Sequence, residues 1–557
     1  MSERDLADMS RSTILLVVAL ELGILSWWFQ GAQFETGLDA LQYHRETSAI
    51  VRYGLAPWVV HPLSYLGTFP GSDSSGVPFL AASFAVVSGV TVSTTVMVYD
   101  CLLLLIFGLG LFALTRQLTH RTDLAILAIP MGTLAYGLIT TLSWSLDERS
   151  FNVALAPVFL FLFFPRLARM TWPRSALEWV ALGLISMVMV VSHLSFLLLL
   201  PFLVVVPLLY EVVRHLHAAR RRTRTSFLYF GLIGLSPLLL LFALDQVGVL
   251  TSYGLEYQLE NSALFSGNSP LIFLANALVF VGTRVGPVNL VCVLIGLVYL
   301  ATRPHLLSRN IPVGGLLLAG FLGLPIVVYS KDLLTPVFVV FGSIGIGGVL
   351  RSLPRRRTLA LTISVVLVIS GSLAFDTWNF ARTSSAAEKQ YLAPIRVTPE
   401  TQSGNLWMNG QGLSQGCVYG NNPVLLQEVT NEPTTPYCTG LPIDVLINGG
   451  LSSVRGPPPF RVRYVGIWGI NPNNWFTSPD LARVSDDFAQ LPGLSLQAGQ
   501  TLLSRYNINF IVVDLRMRYE IPRYNYQGTQ RSLFFTDLWD NLYPVYQSKD
   551  FAVFRVG

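Results

Sequence analysis

The sequence predicts an all-α polytopic membrane bundle of about eleven transmembrane helices, followed by a C-terminal extracytoplasmic α/β domain. Three observations carry this. Apolar residues make up 52% of the 557 and charged residues only 12%, about half the charged share of a soluble domain. The apolar residues fall in long unbroken runs, which read as membrane spans, and not in periodic stripes. The basic residues sit in short clusters between alternate runs, as topology signals do. A net charge of +5 placed this way excludes a nucleic-acid surface; the partner is the lipid bilayer.

The first run, 13–29, follows Arg4 and Arg11. No small-x-small cleavage pattern follows it, so it reads as a retained helix and not as a signal peptide. The later runs are 94–114, 124–144, 151–164, 176–191, 194–213, 227–249, 285–300, 311–329, 335–350 and 358–375. The run at 151–164 is short and must extend into its flanks. With the N-terminus in the cytoplasm, the inside loops carry Arg116 and Arg121, then Arg166, Arg169 and Arg174. The next inside cluster is Arg214 with Arg220–Arg222 and Arg224. Arg303 and Arg309 follow, and Arg351 with Arg355–Arg357 is the last. The outside loops before the last span hold Arg45, Arg52, Arg149, Arg284 and Lys331. This asymmetry holds only if the apolar stretch 77–90 is not a span. At about 14 residues it is short for one, and it is placed outside as an interfacial or re-entrant helix; 271–281 is treated alike.

The segments expected are an N-terminus with the first helix (1–30), an outer loop with interfacial helices (31–92), the remaining bundle (93–376) and an outer domain (384–557). Within that domain, 508–513 and 551–556 read as strands, 502–506 as the end of a helix and 532–541 as a helix. Glycines 108, 110, 342, 345, 347 and 348 are expected to let helices pack closely.

The outer loop 31–92 is unusually charged for so lipophilic a chain, with Glu35, Asp39, His44, Arg45, Glu46, Arg52, His61 and Asp73. If 38–53 is helical, Asp39, Tyr43 and Glu46 share one face and His44 points elsewhere. A solvated interfacial helix would produce the same pattern. Glu21 and Asp100 lie inside apolar runs, where a charge costs several kcal/mol unless paired or neutralised and marks a functional interior position. Asp100 lies roughly 9 Å below the outer end of its run, within reach of pairing with His193, Arg284 or Lys331.

The loop's pattern is a span, then Asp39, then Gly54 and Pro57, Pro62, Pro70, Gly76 and Pro78, and an apolar stretch ending at Gly89. It resembles the first outer loop of the GT-C superfamily, membrane glycosyltransferases that use polyprenyl-phosphate-linked sugars. The C-terminal segment "LLSRYNINFIVVD…LYPVYQSKDFAVFRVG" is similar to the outer domain of uncharacterised GT-C-like proteins, many of them archaeal. The "WWDYG"-type motif of oligosaccharyltransferases is absent; "NPNNWF" at 471–476 is only a superficial echo.

The resemblance implies a GT-C-like bundle and sugar transfer from a polyprenyl-phosphate donor to a glycan, lipid or protein acceptor on the outer face. It implies an early carboxylate that takes the acceptor's proton, a role assigned to Asp39, with Glu35 as runner-up and Asp100 as the second acid. Cations would hold the departing phosphate, drawn from Arg45, Arg52, Arg284 and Lys331 with His44 and His193. The one cofactor the resemblance suggests is a divalent ion such as Mg or Mn, which Asp147 or Glu148 with Asp39 would suit; a local contact of Glu148 with Arg149 is the alternative. Cys417 and Cys438 would pair as a disulfide in an oxidising compartment. The competing readings are a non-catalytic GT-C-like scaffold and a transporter or flippase of lipid-linked solutes. Transporters often show helices broken near mid-membrane, and no such break is evident from the sequence.

Overall fold

In the computed structural model the described residues are 11–28, 76–142, 148–169, 176–192, 284–302, 330–352, 357–390, 417–420, 493–505, 508–514, 541–549 and 551–556. To these are added positions 43, 44, 47, 50, 51, 196, 275, 278, 279, 282, 400, 403, 404, 407, 490, 537 and 538. The chain divides into two compact units. Unit 1 comprises Met1–Ala32, Tyr99–Ser143 and Asp147–Phe380. Unit 2 comprises Gln33–Val98, Trp144–Leu146 and Ala381–Gly557.

Unit 1 is helical. Its helices are α1 (Arg11–Trp28), most of α3 (Val92–Thr119), α4 (Thr122–Thr133), α5 (Tyr136–Leu142), α6 (Glu148–Arg169), α7 (Ala176–Ser192), α8 (Pro287–Ala301), α9 (Ser330–Ser352) and most of α10 (Arg357–Gln390). Eight of the eleven apolar runs coincide with these helices, and α6 extends past both ends of its short run as expected. The runs 227–249 and 311–329 lie outside the described residues, as does 194–213 apart from Phe196. Val92–Thr119 and Leu361–Trp378 are each long and apolar enough to cross a membrane on their own. At 28 and 34 residues, α3 and α10 are about 42 and 51 Å long, against a hydrocarbon core of about 30 Å.

The bundle exposes large apolar side chains on its outer surface. Leu15, Leu22, Leu177, Met187, Val298 and Val366 are each more than half exposed. Meanwhile Leu104, Phe107, Leu111, Leu127, Ile129 and Val340 are fully buried. Small residues bring the helices together, since dispersion must replace the hydrophobic effect in lipid. A Cβ added at Gly345 would sit 2.5 Å from Gly296 N and closer still to Cys292 O. One at Gly296 would overlap Phe341 O, and one at Gly348 would lie 2.5 Å from the Tyr299 ring. The backbones of α8 and α9 are therefore in contact.

The run 124–144 is one span in sequence but two helices in space. The Leu134 amide donates to Pro130 O at 3.1 Å and the Ala135 amide to Gly132 O at 3.0 Å, tightening the end of α4 before α5 restarts at Tyr136. Pro130 lies inside α4 and removes one ladder donor. The break leaves Met131 O to be satisfied from outside: Asn289 Nδ2 on α8 donates to it at 2.6 Å, and to Val285 O at 2.6 Å. The sequence reading had no broken helix; the physical reason is this side-chain cap from a residue 158 positions away.

The turn from α3 to α4 is held at the Arg-rich end. Arg121 Nε donates to Asp123 Oδ1 at 3.0 Å, and Nη1 reaches Gly347 O on α9 at 3.4 Å. His120 closes α3 with φ 55° and its amide on Arg116 O at 2.7 Å, the left-handed cap usually taken by glycine. His120→Val is expected to destabilise the chain by about 1–2 kcal/mol and His120→Gly not to. Thermal unfolding of the two variants checks this, and equal melting points would sink it.

Unit 2 contains α2 (Gly76–Ser88), strand β1 (Cys417–Gly420), helix α11 (Leu496–Arg505) and strands β2 (Ile508–Asp514), β3 (Tyr546–Gln547) and β4 (Phe551–Arg555). At 13 residues α2 is about 20 Å long, too short for a 30 Å core. It ends at Gly89, φ +70°, whose amide bonds Ala85 O at 2.8 Å. The four strands form one sheet in the order β1-β2-β4-β3. The β1–β2 pair is parallel and the others antiparallel. A parallel pair needs a crossover connection, and α11 lies within it. Gly499, Leu502 and Leu503 are the buried side of α11, which packs on β2. Ser495 receives the Ala498 amide at 3.4 Å and Asp537 the Leu496 amide at 3.3 Å, satisfying amides that a helix start leaves open. Ile511, Ala552, Val553, Phe554 and Leu538 form the core, and Trp407 stacks on Tyr546 with ring centroids 4.8 Å apart.

Candidate functional site

Arg284 lies just before α8. The local chain has two special features there: Gly286 at φ +86°, and Pro287 starting the helix. Gly286 O accepts the Leu290 amide at 3.0 Å, so the helix ladder begins at the one residue that tolerates this φ without strain. The Asn289 bond to Val285 O fixes the same turn from the other side. Arg284 itself is half-buried against Gly137 at the start of α5. A Cβ on Gly137 would be 2.9 Å from Arg284 Cδ and 3.1 Å from its carbonyl oxygen. The broken span thus makes room for Arg284.

Helix α10 reaches the same neighbourhood. Phe375 meets Tyr136, the residue before Gly137, edge to face at 6.2 Å, and packs on Trp378 at 6.1 Å. A Cβ on Gly371 would lie 2.5 Å from Val288 Cγ2 on α8. Between these contacts lie Ser372 and Asp376, 2% and 4% exposed. Neither was singled out from the sequence, because the apolar run ends at Phe375 and Asp376 reads as the first residue beyond it. The available signal was the i, i+4 spacing of Ser372 and Asp376, which puts them on one face of a continuing helix.

Asp100 is fully buried on α3. Its neighbour Tyr99 packs on Phe151 of α6 at 5.7 Å. Ser150 and Asn152, on either side of Phe151, are buried as well. Asp100 therefore sits where α3 meets a polar start of α6. Glu21 is also fully buried, and neither carboxylate oxygen makes a hydrogen bond. It fills the notch left by Gly108, where a Cβ would overlap its Oε1.

In unit 2, residues 43, 44, 47, 50 and 51 are helical, and the rest of 38–53 lies outside the described residues. Tyr43, His44 and Thr47 are 3%, 4% and 1% exposed. His44 therefore lies on the buried side together with Tyr43, and this face is not the solvated one that an interfacial helix would show.

Asp39, Arg45, Arg52, His193, Asp147 and Cys438 lie outside the described residues. Glu148 begins α6, Lys331 lies in the first turn of α9 and Cys417 opens β1. Among the described residues no group of three or more His, Cys, Asp or Glu side chains is gathered as a metal would require.

No sequence-family profile matches the chain, and no curated protein matches it in sequence. Solved structures resemble it in fold. One neighbour is the oligosaccharyltransferase AglB of the archaeon Archaeoglobus fulgidus, solved with an inhibitory peptide and a dolichol-phosphate. It aligns with TM-score 0.52 and 13% identity, over 91% of this chain and 70% of its own. The Archaeoglobus fulgidus oligosaccharyltransferase in complex with Zn and sulfate aligns with TM-score 0.51 and 14% identity, over 90% and 68%. ArnT from Cupriavidus metallidurans bound to undecaprenyl phosphate covers 99% of both chains at 13% identity, with TM-score 0.46. At these identities the likeness is one of fold.

Proposed function

We propose that the chain is a membrane glycosyltransferase that moves a sugar from a polyprenyl-phosphate donor to a glycan, lipid or protein acceptor on the extracytoplasmic face. The observation that carries this is the fold: 91% of the chain follows an enzyme solved with a dolichol-phosphate. The proposed layout is eleven spans with a cytoplasmic N-terminus in the cell membrane. The outer domain begins near residue 384, where Cys417 and Cys438 form a disulfide.

In this reading Asp39 takes the acceptor's proton as the hydroxyl attacks, and Asp100 is the second acid. The departing phosphate needs cationic donors, and a guanidinium offers two parallel N–H bonds to it. Arg284 is the best supported, because the break before α5, Gly286 and Asn289 all constrain its place; Arg45, Arg52, Lys331, His44 and His193 complete the set. Asp147 or Glu148 with Asp39 would hold a divalent ion if one is used. That ion would stabilise the phosphate's charge, and the Zn-bound state of the archaeal neighbour makes the test worthwhile.

Asp39→Asn is expected to insert and fold like the parent but to lose sugar transfer by about 100-fold or more. Surface glycans of cells carrying only this variant report the result; unchanged glycans would remove Asp39 from the mechanism. The broken span of α4 and α5 favours a second reading, a flippase of lipid-linked solutes. Purified protein in vesicles separates the two, since only a flippase moves a fluorescent polyprenyl-phosphate sugar between leaflets.

A further inference from the structure

In a regular helix the Ala135 amide would close on Met131 O, four residues back. It bonds Gly132 O at 3.0 Å instead, and Met131 O is left to another donor. Asn289 Nδ2 supplies it at 2.6 Å, and the same nitrogen donates to Val285 O at 2.6 Å. An oxygen in that place would face two acceptors, so the nitrogen is the atom between the carbonyls. Both of its hydrogens are used. Asn289 and Val285 are 1% exposed and Met131 0%. Burial keeps water from competing for either bond, and a carbonyl deprived of its donor there would stay unsatisfied.

Asn289 is the third residue of α8. A side chain at that place commonly accepts an amide of the helix start. This one donates backwards, to a carbonyl that precedes the helix. Val285 O belongs to the peptide unit that joins Val285 to Gly286, and Gly286 takes φ +86°. Holding that unit holds the direction in which the chain enters α8, and with it Arg284, the residue before Val285. The far end of the clamp is itself fixed. Met131 lies against α9, where Ser343 Oγ donates to its Sδ at 3.8 Å and a Cβ on Gly342 would be 2.6 Å from its Cε. Direct packing adds a second contact: a Cβ on Gly137, in the first turn of α5, would be 2.9 Å from Arg284 Cδ. The broken span therefore meets residues 284 and 285 twice, once through the Asn289 amide and once at Gly137.

We propose that Asn289 is the positioning residue of Arg284, acting through its two hydrogen bonds and not by contact with a ligand. It makes the place of the guanidinium depend on the break between α4 and α5. The inference rests on the reading of Arg284 as the cation that holds the departing phosphate. A cap that served stability alone would lower the melting temperature equally with or without Arg284, and would leave phosphate binding unchanged.

The test is a double-mutant cycle on the full chain in nanodiscs, read as the Kd for dolichyl phosphate, with melting temperature alongside. Arg284→Ala should weaken binding by more than any change at 289. Asn289→Ala should weaken it about tenfold, as when a residue that orients a ligand is removed from a metal site. In the Arg284→Ala background the same change should leave Kd where it is, because no guanidinium remains to be placed. Asn289→Gln, which keeps both N–H donors on a longer arm, should recover part of the affinity. If Asn289→Ala is not recovered folded, Asn289→Ser, which can still donate one bond, carries the cycle with a smaller loss. A variant at 289 that binds like the parent, or that loses as much affinity without Arg284 as with it, overturns the inference while Arg284→Ala still shows its loss. An Arg284→Ala chain that binds dolichyl phosphate like the parent overturns the phosphate reading, and the inference with it.

Discussion

Gly345→Val is expected to cost about 3 kcal/mol or more, enough to shift the folded fraction roughly 100-fold. The contact it breaks is between backbones. A Cβ at Gly345 would press on Cys292 O, on Gly296 N at 2.5 Å and on Gly296 Cα at 2.9 Å. No rotamer change can relieve that, so α8 and α9 must separate. Overfilled cores cost about 1–3 kcal/mol when side chains can adjust, and here they cannot. Separation would also loosen Gly342 from Met131 and Gly347 from Leu124 and Arg121, because α9 touches α4 through those glycines. Gly183→Ala is the control: nothing lies within 4 Å of its Cβ position on α7, and alanine is the better helix former. Monodisperse yield and melting temperature in detergent measure both. If Gly345→Val is recovered and melts like Gly183→Ala, the close packing of α8 on α9 is refuted.

Composition and run length locate helices well because lipid imposes a single rule, that backbone polar groups be satisfied within the segment. Hence α1, α3, α6, α7, α8, α9 and the start of α10 follow their apolar runs. The glycines at 342, 345, 347 and 348 were read as packing residues from the sequence, and their neighbours bear this out. The same rule explains the failure at Leu134. A run of apolar residues does not record whether a carbonyl is satisfied from within its helix, and Asn289, which satisfies Met131 O, lies far along the chain. Asp376 was missed for a related reason: hydropathy ends a span at the first acid, but a helix in protein contact need not end there. His44 is buried beside Tyr43 and Thr47, which a helical wheel does not record, because it assigns faces without saying which is buried. Arg284 was placed outside by charge asymmetry and named as a phosphate candidate through the resemblance; what neither could supply was the Gly137 notch against which it lies.

That notch leads to the prediction of largest effect on activity. If Arg284 holds the departing phosphate, Arg284→Ala should lower sugar transfer about 100- to 1,000-fold, the range seen when one donor to a developing negative charge is removed. Arg284→Lys should recover only part of it, since an ammonium keeps the charge but not the paired N–H geometry. Position and charge can be separated through Gly137. Gly137→Ala keeps the guanidinium but places a methyl 2.9 Å from Arg284 Cδ and 3.1 Å from its backbone oxygen. A shift of about 1 Å in a catalytic group can cost roughly 100-fold, so Gly137→Ala should resemble Arg284→Ala in transfer and Arg284→Lys in retained charge. Polyprenyl phosphate co-purifying with each variant, measured by mass spectrometry beside transfer, distinguishes the causes. Loss of lipid in Arg284→Ala with retention in Gly137→Ala would mean that the cation binds the donor and its placement governs the reaction. Equal lipid and equal transfer in all three would show that Arg284 takes no part in handling the phosphate, and that the broken span serves packing or the movement of a lipid-linked solute instead.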